Sequence, residues 1–204
     1  MLRALGLVSI AMTFLVSASD VGAEEQLTVG NAFTVVRTVL GTLDADKRRL
    51  KLADDIYHNE LIETQEDSAT EVLFVDETKL ALGPNSSIVI DSFVYDPMPD
   101  KASFVATATN GVFRFVTGNL PKKSYTIHTP TATIGIRGTV FTLAVLPQKS
   151  TDGRDGYLVH LALEEGAADI SGCSAEEIHI EKPGDAITLL SDGNGACTTG
   201  LSRF

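Results

Sequence analysis

From residue 24 onward, apolar and polar side chains alternate in short segments, and Gly, Asp, Asn or Pro separate the segments. A period of two residues is typical of strands that bury one face. Phe33–Val39 is such a segment, and it is rich in β-branched residues, which favour strands. The predicted strands that follow are Leu61–Thr64, Thr70–Val75, Lys79–Leu82, Ser87–Asp91, Phe104–Thr109, Val112–Thr117, Tyr125–His128, Thr139–Leu146, Tyr157–Leu163, Ala167–Ile170, Ile178–Ile180 and Ala186–Leu190.

The same pattern predicts no long helix. The best helical candidate is Lys47–Tyr57, but Leu50, Leu52 and Ile56 fit an alternating pattern nearly as well. Many short strands at near-regular spacing predict an all-β fold. Three architectures fit this pattern: a β-sandwich, a jelly-roll-like fold or a short β-solenoid of many short strands.

Residues 1–23 have the pattern of an export signal peptide. Arg3 gives a short positive start, Leu5–Val16 is largely apolar, and small residues end in Val21–Ala23. The apolar run is shorter than the roughly 20 residues that cross a bilayer, so we expect cleavage rather than a retained anchor. No later segment is apolar enough to span a membrane. We therefore expect a periplasmic or secreted protein with no stable membrane span after cleavage.

Charge and cysteine content narrow the class further. The formal net charge of the 204-residue chain is −11, which would repel a phosphate backbone, so we expect no nucleic-acid partner. The chain has two cysteines, Cys173 and Cys197. An exported protein meets an oxidising compartment, so we expect the two to form a disulfide.

The sequence contains none of the common catalytic motifs. It has no nucleophile elbow, no HExxH zinc motif, no phosphate-binding loop and no dinucleotide fingerprint. The four histidines, His58, His128, His160 and His179, are scattered singly and are not at metal-ligand spacing. We therefore predict no catalytic residues, no cofactor and no metal, although strand pairing could still bring histidines together.

One segment has unusual chemistry for a strand. Arg137 lies between Gly135 and Gly138, with Thr and Ile on both sides and Thr139 next along the chain. A charged side chain in such a segment usually has a partner. The first hypothesis is a structural lock, in which Arg137 pairs with a carboxylate or carbonyls of a neighbouring strand. The alternative is recognition of an anionic ligand or partner, and Arg114 poses the same question.

Four motifs in order resemble the FecR-like domain family, named for the ferric-citrate transport regulator. The most distinctive runs from Thr129 and Pro130 to Thr139, in the order Thr-Pro-Thr-Ala-Thr-Ile-Gly-Ile-Arg-Gly-Thr. Three other segments resemble the early strand pair of the family, its central LGPNS turn with the YDP ending, and its strand that ends in Thr-Gly. They are residues 62–76, 80–97 and 111–118.

The resemblance implies an all-β extracytoplasmic domain without known catalytic residues. Signalling members relay a signal from an outer-membrane siderophore receptor to a cytoplasmic sigma factor. This sequence has no apparent cytoplasmic segment or internal membrane span, so we expect a free-standing secreted protein without direct anti-sigma activity. Two departures are small: Glu77 and Ala53 stand where the family commonly has Gly.

These observations predict an organisation and a function. We expect a signal peptide at 1–23, N-terminal strands at 24–59, a FecR-like core at 60–145 and C-terminal strands with the disulfide at 146–204. The predicted function is an exported, non-catalytic binding or signalling module whose partner is an envelope or cell-surface protein, or an envelope glycan. Two alternatives are a hydrolase that uses clustered carboxylates and a purely structural envelope protein.

Overall fold

The computed structural model describes residues 26–96, 101–149, 153–173, 176–192 and 197–203. The signal-peptide prediction at 1–23 falls outside these ranges. The described residues form fifteen strands and no helix. In chain order they are β1 (Thr28–Val36), β2 (Val39–Leu43), β3 (Asp46–Arg49), β4 (Asp55–Tyr57), β5 (Leu61–Thr64), β6 (Ala69–Phe74), β7 (Lys79–Leu82), β8 (Ser87–Val94), β9 (Ser103–Val116), β10 (Tyr125–His128), β11 (Thr133–Lys149), β12 (Asp155–Ser171), β13 (Ile178–Ile180), β14 (Asp185–Ser191) and β15 (Cys197–Arg203).

The prediction of an all-β fold is confirmed, and four predicted strands match β5, β7, β10 and β13 to the residue. The sequence pattern split two long strands, because turn residues lie inside them. Asn110–Gly111 is within β9, and Glu164–Gly166 is within β12. The segment Lys47–Tyr57 forms β3, a turn and β4 rather than a helix. The edge strand β15 was not predicted at all.

All fifteen strands belong to one hydrogen-bonded sheet, which folds back on itself as two layers. The first layer runs β3-β2-β5-β8-β9-β10-β11-β12-β13 and the second runs β4-β1-β6-β7-β9-β11-β12-β14-β15. The long strands β9, β11 and β12 contribute one part to each layer. Most pairs are antiparallel, but β10 pairs with β9 in parallel.

Three glycines with positive φ lie where the long strands pass between layers. Gly111 (φ 113°) is in β9, Gly138 (φ 62°) in β11 and Gly166 (φ 83°) in β12. A side chain at Gly111 would clash with Ser86, and one at Gly166 would clash with the carbonyl of Gly138. Glycine is therefore required at these bends by both backbone conformation and close approach.

Phenylalanine rings join the two layers across the core. Phe74 of the second layer stacks on Phe93 of the first at 5.7 Å between centroids and meets Phe104 edge-on at 5.0 Å. Phe115 and Phe141 continue this contact within the second layer. Face-to-face packing of this kind is the sandwich arrangement among the predicted alternatives.

The C-terminal strands are attached covalently to the first layer. Cys173, which follows β12, is bonded to Cys197 at the start of β15, with 5.3 Å between the Cα atoms. The disulfide prediction is confirmed. Within the described ranges, no helix is long and apolar enough to cross a membrane.

Candidate functional site

A row of polar side chains crosses the outer face of the first layer. Strand register places Thr126 beside Gly135, Gly135 beside Asp169, and Asp169 beside His179. The residues that flank them in sequence point into the core, so the row faces solvent. Gly135 leaves the surface open at the middle of the row, because the nearest atom to an added Cβ would be 3.8 Å away.

Arg137 and His179 both bind Asp169 at this row. The Arg137 guanidinium pairs with Oδ2 of Asp169, and His179 Nδ1 lies 2.5 Å from Oδ1. The other His179 nitrogen lies 3.3 Å from Glu181. Partial burial acts to raise the pKa of Asp169, but the hydrogen bonds from His179 and Arg137 outweigh it and hold that pKa below its ordinary value. Hydrogen bonds to Asp169 and Glu181 raise the pKa of His179.

A bulge at Gly138 changes which residues share a face with Arg137. Strict alternation from Ile134 and Ile136 would place Val140 in the core and Thr139 on the same face as Arg137, but β11 departs from it. The register of β11 shifts between Arg137 and Val140, so Thr139 is buried and Val140 is only partly buried. The Thr139 amide donates to Thr117 Oγ1 at 2.9 Å, and the Thr117 amide donates to the Thr139 carbonyl at 3.1 Å. Thr139, the last residue of the motif that begins at Thr129, therefore holds the bend in place.

Thr129 and Pro130 form the turn between β10 and β11. The Thr129 hydroxyl accepts from the Ala132 amide at 3.0 Å and donates to the Ala132 carbonyl at 2.9 Å. Pro130 is exposed at the tip of the turn. These contacts give Thr129 a local structural role, since its side chain satisfies backbone groups that the turn would otherwise leave unpaired.

Arg114 lies on the outer face of the second layer, away from Arg137. Its Nε and Nη2 atoms donate to the two oxygens of Glu164 at 3.1 and 2.8 Å, a bidentate pair across strands β9, β11 and β12. The hydrogen bond from Arg114 lowers the pKa of Glu164. The structure therefore does not bring the two predicted arginines together.

A buried ion pair in the N-terminal strands was missed from the sequence. Glu60 is fully buried and accepts from Arg48 at 2.8, 3.1 and 3.2 Å, and from the Tyr57 amide at 2.9 Å. The Arg48 guanidinium also lies over the Tyr57 ring at 5.2 Å. Gly41 makes room for the carboxylate, because a side chain there would overlap Glu60 Oε1. The one available sequence hint was Arg48 in a strand composed of charged residues only.

A second buried carboxylate holds the junction of the β6–β7 turn with the loop after β9. Asp76 is fully buried and accepts from the Thr78 amide and hydroxyl and from the Tyr125 hydroxyl, at 3.0, 2.7 and 2.8 Å. Burial raises the pKa of Tyr125 to about 12. Glu77 in this turn has a φ of 69° and Ala53 has a φ of 66°. A left-handed backbone at both positions explains why glycine suits them.

An apolar groove of about 260 Å³ lies at the end of the sandwich where β1 begins and β8 ends. Phe93 and Val29 form its buried floor. Its exposed walls, which we call the apolar rim, are Leu27, Val75, Val94 and Tyr95, between 42% and 59% exposed. A contiguous exposed patch of this kind usually marks an interaction site.

A second groove, of about 310 Å³, lies between the edge strands β13 and β15. Ile180 and Leu201 supply its apolar surface. His179 lines this groove and also belongs to the polar row with Asp169, which we call the Arg137 row because Arg137 pairs with Asp169 there. Arg203 pairs with Asp185 at 2.6 Å on its wall. Neither groove has two carboxylates among its described lining residues. Among the described side chains, no group of three or more His, Cys, Asp or Glu residues is arranged to hold a metal ion.

Comparison with known families agrees with the geometry. The model of the FecR protein family matches residues 60–170, more than half of the chain. The chain belongs to the FecR protein family. The match begins at the buried Glu60 and ends in β12, so it includes the Arg137–Asp169 pair.

Two crystal structures of a candidate anti-sigma factor from Parabacteroides distasonis ATCC 8503 resemble the fold. The first, at 2.50 Å resolution, has a TM-score of 0.52 and 14% identity; the second, at 1.65 Å, has 0.49 and 13%. Each match covers 70% of this chain and 60% of the other, so the chain spans less than two thirds of these proteins. No curated protein matches the chain.

Proposed function

We propose that this FecR-family chain is an extracytoplasmic regulatory module that binds a protein partner and catalyses no reaction. The apolar rim carries this proposal, because four exposed apolar side chains surround a groove with an apolar floor. Tyr95 belongs to the YDP ending that resembles the family pattern. A tyrosine at the edge of an apolar groove is a common anchor residue in protein interfaces.

The remaining features support binding better than hydrolysis. A hydrolase of the predicted type needs two carboxylates at roughly 5 to 9 Å in one pocket. Among the described lining residues, the apolar groove has no carboxylate, and the groove between β13 and β15 has only Asp185, which is paired with Arg203. The fold likeness to a candidate anti-sigma factor fits a regulatory role.

Export is part of the proposal and has its own test. N-terminal sequencing of the protein from an envelope fraction should start near Glu24, because small residues end the apolar run just before it. Recovery of a soluble cytoplasmic protein that still begins at Met1 would contradict export.

Co-purification from the envelope tests the binding function. We expect Tyr95→Asp to reduce recovery of the partner by at least about tenfold, because a charge in an apolar contact remains unpaired. Val36→Asp is the matched control, since Val36 is 50% exposed and lies outside the groove. Equal recovery with both variants would contradict a role for the apolar rim, and enrichment of glycan instead of protein would change the partner class.

A further inference from the structure

We propose that the partner pairs an extended, basic segment with the free edge of β15, as an added strand of the second layer. This inference rests on the proposed function but uses a different surface, at the opposite end of the strand order from β1 and β4. Within the described residues, β15 pairs only with β14, so the other side of its backbone has no strand beside it.

The other three edges that the described strands form are poor templates for an added strand. Edge strand β3 consists of Asp46 to Arg49, all charged, and Lys47 and Arg48 are in ion pairs. Edge strands β4 and β13 have three residues each. Charge and short length are the usual devices that prevent edge pairing.

Edge strand β15 lacks both devices. It has seven residues, Cys-Thr-Thr-Gly-Leu-Ser-Arg, and only Arg203 at its end is charged. Six of the seven are exposed, including Leu201 at 69%. A long, nearly uncharged exposed edge remains available for backbone hydrogen bonds with an extended segment.

The position of Leu201 shows which side chains an added strand would contact. Register places Leu201 beside the buried Ile187 and Thr199 beside the buried Leu189, so both point toward the core side. Leu201 also lines the groove with Ile180 of the first layer. An added strand would therefore place alternate side chains against Leu201 and close the groove. The disulfide holds the start of β15 in place before the partner arrives.

The net charge of the chain, −11, favours a basic occupant over a second copy of the chain. The described residues from 153 to 203 include nine acidic and three basic side chains. A second copy of the chain would bring the same negative charge to the edge, whereas Lys or Arg on the incoming strand would be attracted. This asymmetry favours a basic partner strand over self-association.

Titration of the isotope-labelled protein with a synthetic peptide tests the proposal. The probe has about ten residues in which valine and lysine alternate, so that one face is apolar and the other basic. We expect the largest backbone amide shifts in β15, and weaker binding as salt increases because the charge attraction is screened. A peptide with glutamate in place of lysine should bind at least about tenfold more weakly.

Leu201→Lys and Leu52→Lys form a matched pair of variants. Both leucines are 69% exposed, but Leu52 lies before β4, far from β15 in the strand order. A lysine on the core-facing side of an edge blocks pairing, so L201K should weaken peptide binding at least about tenfold while L52K should not. Equal binding by both variants, no shifts in β15 at millimolar peptide, or a dimer that L201K dissociates would each overturn the proposal. If Tyr95→Asp abolishes recovery of the envelope partner but L201K has no effect on peptide binding, the proposed function stands and only the pairing at β15 is wrong.

Discussion

Two arginine–carboxylate pairs in this molecule look alike in chemistry and differ in burial. The arginines Arg48 and Arg137 are 36% and 43% exposed, whereas the carboxylate of Glu60 is fully buried and that of Asp169 is 15% exposed. Among the described side chains, Arg48 is the one cation that pairs with Glu60, whereas Asp169 is bound by both Arg137 and His179. The N-terminal pair therefore locks the fold, and the C-terminal pair belongs to an accessible surface.

The backbone differs between the same two regions. Among the described residues, the eight non-glycine residues with positive φ lie from Arg37 to Asn85, and the six glycines with positive φ lie from Gly111 to Gly184. A left-handed conformation costs an ordinary residue roughly 1 kcal/mol or more. The N-terminal strands thus turn at non-glycine residues, at a cost that is greatest for residues such as Ala53 and Glu77, whereas the C-terminal strands bend at glycines without that cost.

The largest expected difference comes from removing each arginine. Arg48→Ala should cost about 3 kcal/mol, because it leaves the buried Glu60 carboxylate without a cation. Arg137→Ala should cost about 1 kcal/mol or less, because Asp169 is partly solvated and keeps His179. Urea denaturation of both variants measures the free energies of unfolding. Equal losses of unfolding free energy in the two variants would contradict the view that Arg48 locks the fold and Arg137 does not.

The glycine beside each pair gives a second test. Gly41→Ala should destabilise the protein by about 2 kcal/mol, because its methyl group would overlap the Glu60 carboxylate. Gly135→Ala should be within about 0.5 kcal/mol of wild type, because its nearest neighbour is Asp169 Cβ at an ordinary 3.8 Å. Thermal unfolding of the two variants measures this difference in stability. A large loss at Gly135 would show that the Arg137 row is packed more tightly than its exposure indicates.

Two opposite substitutions, alanine to glycine and glycine to alanine, test the cost of a positive φ in the two regions. Ala53→Gly should stabilise by about 1 kcal/mol, because it relieves a positive φ at an exposed turn. Gly153→Ala should destabilise by a similar amount, since its φ is 85° although no atom lies within 4 Å of an added Cβ. Chemical denaturation should give changes of opposite sign, and the same sign for both would refute the strain argument.

The smallest expected effect is the pH dependence of His179. Its pKa is raised above 6.5 by Asp169 and Glu181, so the attraction is fully present below 6.5 and is lost as pH rises through the higher folded value. An NMR titration of the imidazole should have its midpoint above 6.5, and Asp169→Asn should lower that midpoint. A midpoint that D169N leaves unchanged would show that the contact with Asp169 does not form in solution.

Much of the fold could be predicted from alternation, but the site could be predicted only in part. Short segments such as Lys79–Leu82 have one buried face, and their pattern alone locates the strand. Alternation failed at Gly138, because a bulge moves Thr139 into the core. A glycine inside a strand indicates a bend, but it does not give the register that follows the bend. Arg137 stood out among apolar neighbours, whereas Glu60 did not, because its burial depends on strands distant in sequence.

Photo-crosslinking in intact cells tests the central claim, that this module binds a protein partner, most directly. A photoreactive residue is placed at Tyr95 on the apolar rim and, as a control, at Leu52, which is similarly exposed and lies outside the groove. We expect a discrete protein adduct from position 95 that is absent from position 52. No adduct from Tyr95, or the same adducts from both positions, would contradict it.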